Sequence, residues 1–201
     1  MTSGGQARYL ETEQALSALS EGAVLLMATD TLPGLHARLD RPEALSRLST
    51  LKQRPTDKPL LVLAPDLEAA RSLSATLTPA MESQLARWWP GPFTVILPAG
   101  ADLPTAVVSP QGTVAIRVPD HELLRGLLAW SGPLASTSAN PAGQEPATDM
   151  PAACAMFPSL QAWAGSGCPG AFQASALVDL TGARPRILRQ GPRPLPDPGH
   201  A

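Results

Sequence analysis

Short, unbroken apolar runs recur along this chain, and helical patterns lie between them. Residues 23–28 and 59–64 each consist of six consecutive apolar or proline residues, and residues 93–97 interrupt a similar run with one threonine. Runs of this length and composition are typical of strands buried on both faces of a sheet. Residues 113–118 and 133–138 predict two more strands, so we expect the core to be built around a sheet.

Helices are predicted between these strands, which gives the α/β class. Apolar residues recur on one helical face in each segment, and Pro42 and Pro79 suit the first turn of a helix. Asp120 is expected to cap the last helix of this series. The predicted helices are residues 10–19, 42–52, 66–73, 79–88 and 120–130.

The last third of the chain has a different composition. Residues 141–170 are rich in Gly, Pro and Ala and are the predicted place for a mobile loop. Residues 176–180 and 186–189 predict two late strands joined by a turn. Because no repeat or linker composition interrupts the 201 residues, we expect one domain over residues 7–192, with a single sheet, and a proline-rich tail over residues 193–201.

Composition narrows the functional classes. Hydrophobic residues make up 44% of the chain and the net charge is −2, which disfavours a surface built throughout to hold nucleic acid. No apolar run approaches the ~18 residues that a membrane span needs, and the amino terminus lacks a signal-peptide pattern, so a cytoplasmic protein is expected. Cys154 and Cys168 form no CxxC pair, and no metal site is predicted.

Both lysines of the chain lie in one short segment. Of the 15 basic residues only Lys52 and Lys58 are lysines, and Arg54 lies between them. Three cations this close repel one another unless an anion joins them, which favours a polyphosphate ligand. The alternative is a solvated turn.

Hydroxyl-rich and basic residues also cluster where predicted strands end. Residues 29–34 form a polar turn whose hydroxyls suit a small polar ligand, although an ordinary turn bonded to its own backbone has the same composition. Residues two apart on a strand share a face, so such side chains can point into one cleft. Each of these residues taken alone also fits a structural strand end or a surface position. The other clusters are Thr113 with Arg117, Ser136 with Ser138 and Asn140, and Ser175 with Arg189.

In order and spacing, these segments resemble the YrdC/Sua5 family of threonylcarbamoyl-AMP synthases. The resemblance covers roughly residues 10–192 and includes the family's Lys-x-Arg and Ser-x-Asn elements, here Lys52 with Arg54 and Ser138 with Asn140. Ordered motifs over this length are far more specific than one short motif. The resembling stretches are residues 29–35, 51–63, 89–94, 114–121, 138–140 and 187–191.

The resemblance implies a fold and an activity. The fold is a YrdC-like twisted mixed sheet, flanked by helices, with a concave basic cleft. The activity is that of an L-threonylcarbamoyladenylate synthase, a nucleotidyltransferase that condenses ATP, L-threonine and bicarbonate to threonylcarbamoyl-AMP and pyrophosphate. Mg²⁺ is expected to enter with ATP, and a tRNA threonylcarbamoyl transferase is expected to take the product for tRNA modification. The alternative is a non-catalytic module of the same fold that binds tRNA or double-stranded RNA.

The resemblance also assigns roles to residues. Lys52 and Arg54 match the catalytic positions. The positions matching ATP contacts are Arg54, Lys58, Thr113, Ser138, Asn140 and Arg189. Those matching threonine contacts are Thr31, Arg117, Ser136 and Ser175. Arg117 is the expected partner of the threonine carboxylate, because a guanidinium can bind it bidentately.

Three positions depart from the family pattern. Leu63 stands where many members have a histidine near the threonine, Pro33 replaces a common aromatic residue, and Ala176 stands where a threonine is usual. These differences concern the amino-acid pocket and leave the nucleotide residues intact.

Overall fold

Ten strands form one mixed sheet in a computed structural model, which describes residues 8–53, 58–167 and 170–196. Along the sheet the strands run in the order β1-β8-β2-β3-β7-β4-β6-β5-β9-β10. The strands are β1 Arg8–Leu10, β2 Leu25–Met27, β3 Gly34–Arg38, β4 Leu61–Leu63, β5 Phe93–Pro98, β6 Thr113–Arg117, β7 Leu134–Ser138, β8 Gln161–Trp163, β9 Ala176–Asp179 and β10 Arg186–Arg189. The helices are α1 Thr12–Ser20, α2 Pro42–Lys52, α3 Leu67–Ser72, α4 Pro79–Trp88, α5 Glu122–Ser131 and α6 Met150–Met156.

The two faces of the sheet are covered to different extents. One face carries side chains such as Val62, Val95 and Ile116, and helices α2, α3, α4 and α6 pack on it in the larger apolar core. On the opposite face, Leu63 and Leu134 belong to a smaller core closed by α1 and α5. These two helices cover only part of that face. The remainder of that face, formed by β7, β4, β6, β5 and β9, lines a cavity.

The alternation of strands and helices that the sequence predicts is confirmed, since each predicted strand and helix has a counterpart in the structure. The sequence patterns missed β1, β3, β8 and α6. In β3 the apolar residues Leu35 and Ala37 alternate with Gly34, His36 and Arg38, so the segment lacks a continuous apolar run. Its strand character depends on pairing with both β2 and β7.

One local prediction is wrong. His121, not Asp120, caps α5, and its Nδ1 accepts a hydrogen bond from the Leu124 amide at 3.2 Å. Residues 141–170, the predicted place for a mobile loop, also contain α6 and β8. Asp149 caps α6 through the Ala152 amide, a signal present in the sequence. None of the helices in the described ranges is both long and apolar enough to cross a membrane.

Candidate functional site

The cavity on the uncovered part of the sheet has a volume of about 400 Å³. Side chains two residues apart line it, because they share one face of their strand. On β7 these are Ser136 and Ser138, which continue the face that Leu134 begins within the smaller core. The switch from leucine to serine along β7 therefore marks the place where the helix cover ends.

Arg117 lies at the centre of the first polar cluster. It is 3% exposed, and its Nη1 donates to Thr31 Oγ1 at 2.6 Å while Nη2 donates to Thr29 Oγ1 at 3.2 Å. Asp30 Oδ1 lies 3.3 Å from Arg117 Nη1. The hydroxyl-rich turn predicted from residues 29–34 thus holds the guanidinium.

Lys52, Ser138 and Asn140 form the second cluster. The Lys52 Nζ donates to the Ser138 backbone oxygen at 3.1 Å, to Ser138 Oγ at 3.0 Å, and to Asn140 Oδ1. Ser138 Oγ in turn donates to Asn140 Oδ1 at 2.7 Å. Ser138 lines the cavity, whereas Lys52 and Asn140 are buried behind it. The Lys52 ammonium is therefore separated from the cavity by Ser138, to which it is hydrogen-bonded.

Ser175 and Arg189 close the opposite side of the cavity, as the pairing of β9 with β10 allows. Arg189 Nε donates to the Ser175 backbone oxygen at 3.0 Å. Ser175 Oγ lies 2.7 Å from Thr94 Oγ1, and both hydroxyls are buried against the cavity. Partial burial, and then the charge of Arg117, lower the pKa of Arg189 below its ordinary value. Both guanidinium groups line this one cavity.

The cavity is positively charged. Lys58, Arg117 and Arg189 are among its lining residues, and no described lining residue is a carboxylate. Several cations that line one cavity attract an anion. A ligand with a carboxylate and phosphates would satisfy this arrangement.

The structure brings most of the residues predicted from the sequence to this one site. Seven line the cavity, and two more, Lys52 and Asn140, bond to Ser138 behind its wall. Thr113 lies further along β6, where its hydroxyl is 2.7 Å from Ser109 Oγ, and Arg54 falls outside the described residues. The seven are Thr31, Lys58, Arg117, Ser136, Ser138, Ser175 and Arg189. The ligand assigned to each residue stays a prediction.

Sequence reasoning missed Thr94 and Asp30. Thr94 is the one polar residue in the apolar run of β5, and that interruption was the available signal. Asp30 lies between the two threonines of the turn, but its proximity to Arg117 depends on contacts across the sheet.

The Sua5/YciO/YrdC family model, described as "Telomere recombination", matches residues 17–191. This chain belongs to the Sua5/YciO/YrdC family. A threonylcarbamoyl-AMP synthase of Vibrio vulnificus (strain YJ016) is 40% identical over 136 residues, which cover 66% of this chain and 73% of that protein. The resemblance inferred from the motifs is therefore confirmed at the level of the family.

Solved structures of the Sua5/YciO/YrdC family have the same fold. The crystal structure of P. abyssi Sua5 complexed with L-threonine superposes with a TM-score of 0.85 at 27% identity over 92% of this chain, which spans 57% of that protein's length. E. coli YciO superposes with a TM-score of 0.82 at 22% identity, covering 93% of this chain and 96% of that one. The likeness to YciO supports the YrdC-like mixed sheet alone.

Proposed function

We propose that this protein is an L-threonylcarbamoyladenylate synthase, which condenses L-threonine, bicarbonate and ATP to threonylcarbamoyl-AMP and pyrophosphate. The observation that carries the proposal is the buried Arg117, held by the hydroxyls of the 29–31 turn within a cationic cavity. The relative from Vibrio vulnificus carries the name of this activity, and the P. abyssi Sua5 structure was obtained with L-threonine. We expect the enzyme to act in the cytoplasm and to pass its product to a tRNA threonylcarbamoyl transferase.

Arg117 is proposed to bind the threonine carboxylate. A guanidinium presents paired N–H donors that match a carboxylate, and in a buried site such charge-assisted hydrogen bonds are stronger than neutral ones. Ser136, Ser175 and Thr31 line the same cavity and are proposed to supply hydroxyls to the rest of the amino acid. These short side chains leave room for a ligand the size of threonine.

The phosphates of ATP are proposed to lie toward Lys58, Arg189 and Ser138. The charge of Lys52 adds to this side through its hydrogen bonds to Ser138. Phosphoryl and nucleotidyl transfer depend mainly on positioning and on charge stabilisation. Arg54 is proposed to contribute here as a catalytic and ATP-binding residue, together with Thr113 and Asn140 as ATP contacts.

The reaction follows from placing these two ligands side by side. The threonine ammonium transfers a proton to bicarbonate, which breaks down to CO₂ and water. The free amine then adds to the carbon of CO₂ and loses a second proton to solvent, which gives a carbamate. A carbamate oxygen then attacks the α-phosphorus of ATP, and the bond from that phosphorus to the β-phosphate oxygen breaks to release pyrophosphate. The contribution of the protein is to hold the carbamate near the α-phosphorus and to stabilise the charge that develops on the phosphates.

Mg²⁺ is proposed to enter bound to the ATP phosphates, whose charge it would neutralise. The residues lining the described cavity include hydroxyls and cations, and no carboxylate is among them. Mg²⁺ prefers oxygen ligands, usually including one or two carboxylates beside substrate phosphates. The described lining residues therefore supply no carboxylate ligand for the ion, and the ATP phosphates are proposed to be its main ligands.

The proposal is tested by measuring pyrophosphate release from ATP by the purified protein, with threonine and bicarbonate omitted in turn. We expect release to require both substrates. Arg117→Lys keeps the charge but loses the bidentate fork, and it should lower kcat/KM for threonine by roughly 10²-fold. Arg186→Lys is the matched control, because the side chain of Arg186 is 72% exposed. ATP left intact in the presence of both substrates would reject the synthase proposal.

A further inference from the structure

Asp30 is a buried carboxylate whose hydrogen-bonding capacity is unused. Its side chain is 7% exposed, and neither carboxylate oxygen has a hydrogen-bond partner among the described residues. Its contact with Arg117 Nη1, at 3.3 Å, is an ion pair that lacks hydrogen-bond geometry. Buried ionised groups in native proteins normally have hydrogen bonds, so such an exception calls for an explanation.

The orientation of Arg117 does not depend on Asp30. The two terminal nitrogens of the guanidinium donate to Thr31 Oγ1 and Thr29 Oγ1, and these hydroxyls fix its plane. Thr29 Oγ1 donates to the Leu32 backbone oxygen at 3.0 Å, which fixes that hydroxyl as well. The two hydroxyls therefore set the orientation of the Arg117 guanidinium, and Asp30 contributes negative charge beside it.

The backbone of the turn that carries Asp30 is held by a neighbouring segment of backbone. The amides of Gly170 and Phe172 donate to the backbone oxygens of Thr29 and Thr31, at 3.2 and 3.1 Å, so residues 170–172 lie against the turn. The packing is close enough that a Cβ on Gly170 would lie 2.6 Å from the Asp30 backbone oxygen. The turn that places the carboxylate beside Arg117 is thus fixed by contacts of its backbone.

We propose that Asp30 is a resident counter-ion of the amino-acid site, which compensates Arg117 in the empty protein and competes with the substrate carboxylate for its charge. The inference rests on the proposed function, since it takes a carboxylate-bearing amino acid as the ligand. A buried charge that loses its partner is strongly destabilising. In the empty protein Asp30 removes that penalty. An incoming carboxylate finds a guanidinium that is already compensated, so its net gain is smaller and it dissociates more readily.

The competition predicts that removing the charge of Asp30 strengthens L-threonine binding, whereas removing an ordinary binding residue weakens it. Asp30→Asn keeps the size of the side chain but removes its charge, so the empty protein should lose stability. L-Threonine should bind the variant more tightly, because its carboxylate then supplies the missing charge. We expect the Kd for L-threonine to fall about fivefold or more, the lower limit of typical couplings between linked sites. L-Threonine amide, which lacks the carboxylate, should show no such gain.

The test is calorimetric titration of the wild-type protein, Asp30→Asn and Asp40→Asn with L-threonine and with L-threonine amide. Asp40 is the matched control, because it forms exposed ion pairs with Arg38 and Arg41 away from the cavity. Lower Kd for L-threonine in Asp30→Asn alone supports the proposal, and an unchanged or higher Kd overturns it. If the wild-type protein fails to bind L-threonine at all, the result contradicts the proposed function itself.

A second measurement covers the case in which Asp30→Asn does not fold alone. The variant is then refolded with saturating L-threonine or with L-threonine amide. Recovery of folded protein by the carboxylate-bearing ligand only supports the counter-ion role. Equal recovery with both ligands, or with neither, contradicts it.

Discussion

His36 is the residue whose burial has the clearest consequence for stability. It lies fully buried on β3, and neither ring nitrogen has a hydrogen-bond partner within the described residues. Burial, aided by the charge of Arg117 and partly opposed by the backbone of Met27, lowers its pKa from 6.5 to about 3. The imidazole is therefore neutral in the folded protein at neutral pH.

The lowered pKa of His36 predicts a loss of stability in mild acid. Between the two pKa values the unfolded chain binds the proton and the folded protein does not, so the free energy of unfolding falls as pH falls below 6.5. The slope is about 1.4 kcal/mol per pH unit, or roughly 2 kcal/mol between pH 6.5 and 5. Urea denaturation at these two pH values measures it. His36→Leu should lose this dependence and His121→Asn should keep it, whereas equal slopes in all three proteins would contradict the prediction.

Asn140 holds the Lys52 cluster together, so we expect its substitution to destabilise the protein. Its Oδ1 accepts from Lys52 and Ser138, and its Nδ2 donates to the backbone oxygens of Pro141 and Gln144. Asn140→Ala removes four hydrogen bonds from this partly buried network and should lower the free energy of unfolding by about 2 kcal/mol. Denaturant unfolding measures the change. Gln144→Ala, which removes an exposed side chain and keeps the backbone oxygen, is the control; a loss below ~0.5 kcal/mol for Asn140→Ala would refute the prediction.

At the scale of elements, the position of β10 depends on the glycine that follows it. A Cβ on Gly191 would collide with the backbone nitrogen of Ala176, at the start of β9. Gly191→Ala should therefore displace β10 and weaken the hydrogen bond from Arg189 to Ser175. We expect a loss of about 1–3 kcal/mol in stability and a higher KM for ATP.

The KM for ATP and the midpoint of denaturant unfolding test this displacement of β10. Gly182→Ala is the control, since the nearest atom to a Cβ there, the Arg184 backbone oxygen, is 3.8 Å away. Equal KM values in the two variants would show that the close approach at Gly191 does not position Arg189.

The whole molecule unites two apolar cores on opposite faces of one sheet, with the cavity beside the smaller core. A ligand in the cavity contacts strands that belong to both cores, so its binding should stabilise the entire fold. At one hundred times its Kd, a ligand adds about 2.7 kcal/mol. For a chain of this size that raises the thermal midpoint by about 5–11 °C. Thermal scans with ATP and with L-threonine measure the shift, and Arg117→Lys should lose the shift from threonine while keeping that from ATP.

The sequence predicted most elements whose apolar pattern is local. The apolar runs of residues 23–28 and 59–64 predicted β2 and β4, and the spaced leucines of residues 42–52 predicted α2. Such patterns can be read locally, since strand and helix periodicity follow from backbone geometry. β3 could not be found in this way, because its alternating residues become a strand only between β2 and β7. The cap of α5 was misplaced by one residue because the side chains of Asp120 and His121 can both accept an amide hydrogen.

The sequence by itself determined the α/β class, the family, and the residues that carry charge or hydroxyls near the ends of strands. Which of these residues meet was decided by the tertiary structure. Lys52 and Asn140 are 88 residues apart in the chain and bond directly, and Asp30 lies beside Arg117 from the other half of the sheet. Contacts of this kind depend on strand order and on which part of a face the helices leave uncovered, and neither is encoded in a local pattern of residues.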